Sequence, residues 1–150
     1  MNMIPRNDEL LEAFAKGLGE RLVGLVLYGS VARGEAREGS DIDVLVVAQG
    51  LSGSFLERQQ TILASLPQRW RATVSLMITS PEALEAHLSS LLLDVAIDGV
   101  ILFDPSGLVS RRLEALRSLL RSEGWGREAT DEGFAWNQAR RVPSQPGQVA

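Results

Sequence analysis

Cysteine is absent from the sequence. That excludes a disulfide scaffold, a thiol nucleophile and a cysteine-ligated zinc site. Histidine occurs once, as His87, so a His-rich metal centre and a metalloprotease helix are excluded too. A basic excess is also missing. Fifteen Lys and Arg stand against nineteen Asp and Glu, for a net charge of −4. A chain that lives on nucleic-acid phosphates usually shows the opposite balance, so nucleic acid is not an expected partner. No apolar run reaches the length of a bilayer span. The opening stretch through Asp8 and Glu9 carries acids where a signal peptide has a basic start and an apolar run. The expectation is a cytoplasmic protein with no membrane partner.

What is present is ordinary for a globular fold. The chain has 150 residues, 45% of them hydrophobic and 23% charged, the size and balance of one domain. A chain of this length buries roughly 70% of its unfolded surface, enough for a core without staples. The domain is expected over residues 1–139. The polar, Pro-containing residues 140–150 read as a flexible tail.

Periodicity predicts the order of elements. Leu10, Leu11, Phe14, Leu18 and Leu22 recur at helical spacing over 7–22, with Asn7 or Asp8 as cap. Val23 to Tyr28 reads as a strand, and Ser30 as the cap of a short helix over Val31 to Arg33. Residues 41–48 form a second strand. A helix follows over Phe55 to Leu66, with Phe55, Ile62 and Leu66 on one side. Ala72 to Ile78 is a third strand. Ser80-Pro81 opens a helix that runs to Asp98, and Val100 to Phe103 is a fourth strand. Asp104-Pro105 opens a last helix with a stripe of Leu108, Leu113, Leu116 and Leu120, stopped by Gly124. Residues 125–139 read as a hairpin. The fold class is α/β (α+β): a small mixed β-sheet packed by helices, with a C-terminal hairpin.

One stretch, Tyr28 to Asp43, carries chemistry. Asp41 and Asp43 are two apart on a strand, so they share a face about 6.5–7 Å apart at Cα. Two adjacent acids repel unless a cation lies between them, and such oxygen ligands suit Mg²⁺ held jointly with phosphates. Gly29 ends a strand and Ser30 opens a helix, where free N–H groups favour a phosphate. Arg33, one turn on, can pair with a carboxylate or a phosphate. Taken singly, the glycine turn is an ordinary strand-to-helix connection and the acids an exposed strand start. Joined, they supply what nucleotidyl transfer from an NTP needs. Neither a P-loop nor a dinucleotide fingerprint is present.

Gly29-Ser30, ten residues, then Asp41-x-Asp43 resembles the signature of the polymerase-beta-type nucleotidyltransferase superfamily. Ala32-Arg33-Gly34, Ser40 and Leu45-Val46 fill out the longer pattern. The length resembles the minimal branch, the MNT proteins, and so do the segments Leu92 to Asp104 and Phe134-Ala135-Trp136. The resemblance implies a nucleotidyltransferase fold, one or two Mg²⁺ ions, and an NTP, namely ATP, as donor. It implies Asp41 and Asp43 as catalytic metal ligands, and Gly29, Ser30, Arg33 and Ser40 as nucleotide-binding residues. It also implies a HEPN-domain protein as partner in a toxin–antitoxin pair, with a homo- or hetero-oligomeric assembly. The leading expectation is AMP transfer to a protein hydroxyl. The alternative is a weakened or inactive subunit that masks its partner. The family's third carboxylate lies on the next strand, and the stretch Thr73 to Met77 places Ser75 there. A serine neither binds a metal well nor serves as a base.

The remaining candidates read as structural. His87 is a boundary residue on a helix face with Leu84 and Leu91. Arg111, Arg112, Arg117 and Arg121 form a solvated face, with docking of an acidic surface as the second reading. Asp94 and Asp98 serve helix structure, and Trp125 and Trp136 pack the hairpin.

Overall fold

The structure is a computed structural model, and it describes residues 4–131 and 133–138. The tail expected over 140–150 lies outside these residues. A four-stranded sheet of order β3-β2-β1-β4 forms the centre. Its strands are β1 (Leu22–Tyr28), β2 (Ile42–Ala48), β3 (Val74–Thr79) and β4 (Val100–Phe103). β1 pairs antiparallel with β2 and β4, and β2 pairs parallel with β3. The mixed sheet is therefore as expected. A separate two-stranded hairpin joins β5 (Trp125–Thr130) to β6 (Gly133–Gln138).

Strand alternation sorts the apolar residues onto two faces. Leu25, Leu27, Ile42, Val44 and Val46 pack against Leu10, Phe14 and Leu18 of α1 (Asn7–Leu18) and Ile62 of α3 (Phe55–Ser65). Val26, Tyr28, Leu45 and Val47 face the other way. They meet Leu84 of α4 (Pro81–Ala86), Leu92, Val95 and Ala96 of α5 (Ser90–Asp98), and Val109, Leu113, Leu116 and Leu120 of α6 (Leu108–Ser122). The result is three layers, helix–sheet–helix. Gly24 has no side chain where Val109 of α6 comes down on β1, and a Cβ there would overlap that valine.

Several boundaries differ from the sequence expectation. The first helix ends at Leu18, because Gly19 takes a positive φ of 57° and a 3₁₀ turn over Gly19–Arg21 leads into β1. Its cap is Arg6 rather than Asn7 or Asp8, with the Glu9 carboxylate accepting the Arg6 N–H at 2.9 Å. Phe55, expected on the inner side of α3, is 66% exposed. A 3₁₀ turn at Gln68–Trp70 delays the third strand to Val74. The helix expected from Ser80 to Asp98 is two helices, α4 and α5. Ser89 breaks it by accepting the Leu92 N–H, which caps a new helix. His87 therefore closes α4 as an exposed residue instead of lying on a helix face. The last helix starts at Leu108 and not at Pro105. The Asp104 carboxylate reaches forward to the N–H groups of Val109 and Ser110, and Gly107 turns the chain with φ 79°.

Candidate active site

The site lies where β1 ends and β2 and β3 begin. Register puts Tyr28 opposite Asp43 and Asp43 opposite Ser75. By alternation Asp43 and Ser75 look towards the α5–α6 side, next to Tyr28 and in line with Leu45 and Met77. Asp41 sits one residue before β2, exposed to solvent, whereas the expected strand included it. Ile42 and Val44, between and after the two acids, are buried in the other core. Both acids thus lie off the face that Ile42 and Val44 bury, Asp41 exposed and Asp43 half-buried.

The glycine turn is shaped around Asp43. After Tyr28 the chain enters α2 (Gly29–Ala32), a helix of four residues. Gly29 has φ 77°, and a Cβ there would collide with the Asp43 carboxylate. Only glycine allows the backbone to lie that close to the acid. Tyr28 is the helix cap, so Ser30 lies inside the first turn and does not cap it as expected. Its hydroxyl has no hydrogen-bond partner among the described residues. Ser40 accepts the Arg37 N–H at 2.8 Å and so closes its own loop.

Burial and the neighbouring charge of Asp41 push the Asp43 carboxyl up to about 6, against a weaker opposing pull from Arg33. Asp43 has no hydrogen bond from the described residues to offset that cost. The Tyr28 phenol is pushed up by burial, then by the charges of Asp43 and Asp94. A divalent cation would relieve the repulsion between the two carboxylates, and hard oxygen donors are the right kind for Mg²⁺. The donor set is small. Among the described residues no cluster of three or more Asp, Glu, His or Cys could hold a metal, and exposed Ser75 stands where a third acid would sit. Asp41 and Asp43 fit an ion that takes its remaining ligands from phosphates and water.

Arg33, expected on a phosphate, is engaged elsewhere. Its Nε donates to Glu35 at 2.8 Å and its Nη1 to Asp98 at 2.9 Å. Asp98 and Asp94, expected to serve helix α5, instead receive arginines and a tryptophan from outside it. Arg127 of the hairpin donates to both Asp98 oxygens, at 2.7 and 2.6 Å. It also reaches Asp94 at 3.3 Å, which accepts the Trp136 indole N–H at 2.9 Å. Burial alone would raise the Asp98 carboxyl, but hydrogen bonds from Arg127 and Arg33 hold it below its usual range. No periodicity marks this group, because its members come from three separate segments.

The arginine row on α6 is tied down. Arg117 and Arg121 pair with Glu114. Arg112 donates to the carbonyls of Leu84 and His87, and Arg111 to that of Ser106. A groove of about 740 Å³ between α1, α3 and Trp70 contains none of the expected site residues and lies across the sheet from Asp43.

Residues 8–72 match the nucleotidyltransferase domain, which bears out the resemblance carried by Gly29, Ser30, Asp41 and Asp43. The match ends before Ser75. A protein of Methanocaldococcus jannaschii named as a candidate protein adenylyltransferase, MJ1305, is 26% identical over 118 residues, covering 76% of this chain and 80% of that one. Among solved structures, a chain of a toxin–antitoxin with AMP-PNP superposes with a TM-score of 0.53 at 16% identity. The match covers 79% of this chain and 89% of that one. A mutant of the MntA–HpeT toxin–antitoxin gives 0.52 at 16% identity with the same coverage. These likenesses show the nucleotidyltransferase fold.

Proposed function

We propose that this protein transfers AMP from ATP, with Mg²⁺, to a hydroxyl of a partner protein, and that the partner is a HEPN-domain protein. The reading rests above all on Asp43 lying against Gly29 of the Gly29–Ser30 turn, with Asp41 exposed two residues before it. Mg²⁺ bound there would neutralise the triphosphate. The backbone at Gly29 and the Ser30 hydroxyl would hold phosphate oxygens. The acceptor hydroxyl oxygen forms a bond to the α-phosphorus, the bond to the β-phosphate oxygen breaks, and pyrophosphate leaves. The hydroxyl proton passes to solvent, since Ser75 cannot take it. Asp41 and Ser75 are exposed, which leaves room for an acceptor carried by another macromolecule. The relative named for protein adenylylation and the toxin–antitoxin neighbours support the same acceptor class and partner. A cytoplasmic location goes with this role, and among the described residues no helix is long and apolar enough to cross a membrane.

Ser75 favours a second reading, a masking subunit that binds MgATP and its partner without turnover. Calorimetry with MgATP tests the shared part: Asp41→Ala and Asp43→Ala should each abolish binding seen for the wild type. Incubation with labelled ATP, Mg²⁺ and a HEPN-domain protein encoded beside it separates the two readings. A gain of one AMP in the partner's mass supports transfer, a stable complex without it supports masking, and neither outcome sinks both.

A further inference from the structure

The hairpin and the glycine turn share a weakness. A helix of four residues, α2, has too few internal hydrogen bonds to hold its own shape. A two-stranded hairpin is marginal by itself in water, and most of β5 is exposed. Each needs an external hold, and Asp98 gives one to both. Its side chain is only 5% exposed. Arg127 grips it from the hairpin with a two-pronged fork, the strongest form of side-chain pairing. Arg33, which closes α2 and whose own N–H donates to the Gly29 carbonyl at 3.1 Å, grips it from the turn. Phe134 of β6 lies under both guanidinium groups, 3.9 Å from Arg127 and 5.0 Å from Arg33. Val31 and Ala32 pack against the α1–α3 core, fixing the opposite side of the turn.

We propose that the C-terminal hairpin is a positioning element of the nucleotide site. Arg127 holds Asp98, Asp98 holds Arg33, and Arg33 holds the Gly29–Ser30 turn in the shape that lies over Asp43. Arg33 is then a positioning residue, not a phosphate ligand. Removing one member leaves a buried charge without its partner, so the damage spreads along the chain of pairs. The phosphate-binding part of this inference rests on the function proposed above, and the structural part does not.

Two measurements separate these parts. Hydrogen exchange of the peptide covering residues 29–35 reads the turn without any ligand. Arg127→Gln and Asp98→Asn should both speed that exchange, with circular dichroism unchanged. Trp136→Phe, which removes only the indole donor to Asp94 and leaves Arg127 in place, should speed it less. Arg127→Lys keeps the charge but loses the fork, so it should fall between wild type and Arg127→Gln. Calorimetry with MgATP reads the site. Arg127→Gln should weaken binding about tenfold, the loss of one charge-assisted hydrogen bond. Arg33→Gln should weaken it as much, and the double variant no more than either. Unchanged exchange and affinity in Arg127→Gln and Asp98→Asn would overturn the proposal. If Arg33→Gln alone weakened binding, Arg33 would be a direct phosphate ligand. If the wild type bound no MgATP, the proposed function would fail while exchange still decided the clamp.

Discussion

On the α1–α3 side of the sheet, the inward residues of β1 and β2 are apolar to the end, from Leu25 and Leu27 to Ile42, Val44 and Val46. On the α5–α6 side the same strands present Val26, Tyr28, Leu45 and Val47, and then Asp43 with Ser75 beside it. One face is a core and nothing else. The other begins as a core and turns into the candidate site at its end. The change takes a single break in the apolar pattern, and Gly29 makes room for it. Buried apolar residues and the candidate site's carboxylate thus alternate along one strand, so substitutions one residue apart should act in opposite ways.

The largest effect belongs to the all-apolar face. Phe14 is fully buried, and Phe14→Ala should cost about 3–5 kcal/mol through lost burial and a cavity. Urea unfolding would measure it. MgATP affinity of the protein that remains folded should be unchanged, because α1 does not reach Asp43. A matching loss of affinity in the folded protein would break the division between the faces.

The site face should respond with the opposite sign. The folded Asp43 carboxyl is raised from 3.8 to about 6 by burial and by Asp41. A raised acid favours the folded state below its unfolded value, and that contribution is lost as pH rises through about 6. At pH 7 without metal, the ionised Asp43 therefore destabilises the fold. The shift corresponds to about 3 kcal/mol, reduced to roughly 1–2 by solvent screening of a half-buried group. Asp43→Asn should stabilise the metal-free protein by that amount at pH 7 and leave it unchanged near pH 3.5. Thermal unfolding in chelator across this range checks it. Equal stability of the two proteins at pH 7 would mean that Asp43 is solvated like any surface acid.

The two faces also differ in how far they could be read in the sequence. Alternation in β1 and β2 and the leucine stripe of α6 are local patterns, so these elements and the core residues they carry were legible. The meeting of Gly29 with Asp43 was legible too, because the two lie close together in sequence. Ser89 was harder to read. Apolar residues continue at helical spacing from Leu84 to Leu92, and only the side chain's competition for a backbone N–H divides the helix. Asp104 looks like a cap, but its carboxylate reaches past a full turn to Val109 and Ser110. The Arg33–Asp98 pair spans 65 residues and joins Arg127 from the hairpin. Charged side chains that meet only after folding leave no period to read, so the sequence left Arg33 open between a carboxylate and a phosphate.

Ser75 carries the smallest expected effect. It lies next to Asp43 in register, on a neighbouring strand and in the exposed position that continues the site face. A carboxylate there would stand about 5 Å from the Asp43 backbone, the spacing of paired strands. Like charges side by side in a sheet cost about 0.2–1 kcal/mol, so Ser75→Asp should be slightly less stable than wild type in chelator. A divalent cation reverses that sign, because three acids hold a hard ion better than two. Mg²⁺ should therefore raise the melting temperature of Ser75→Asp more than that of wild type, and calorimetry should show tighter Mg²⁺ binding. Serine at this position would then be the reason for a sparse donor set. If Mg²⁺ acts equally on both proteins while the variant remains folded, Ser75 does not occupy the third acid's place, and the site face is complete with Asp41 and Asp43.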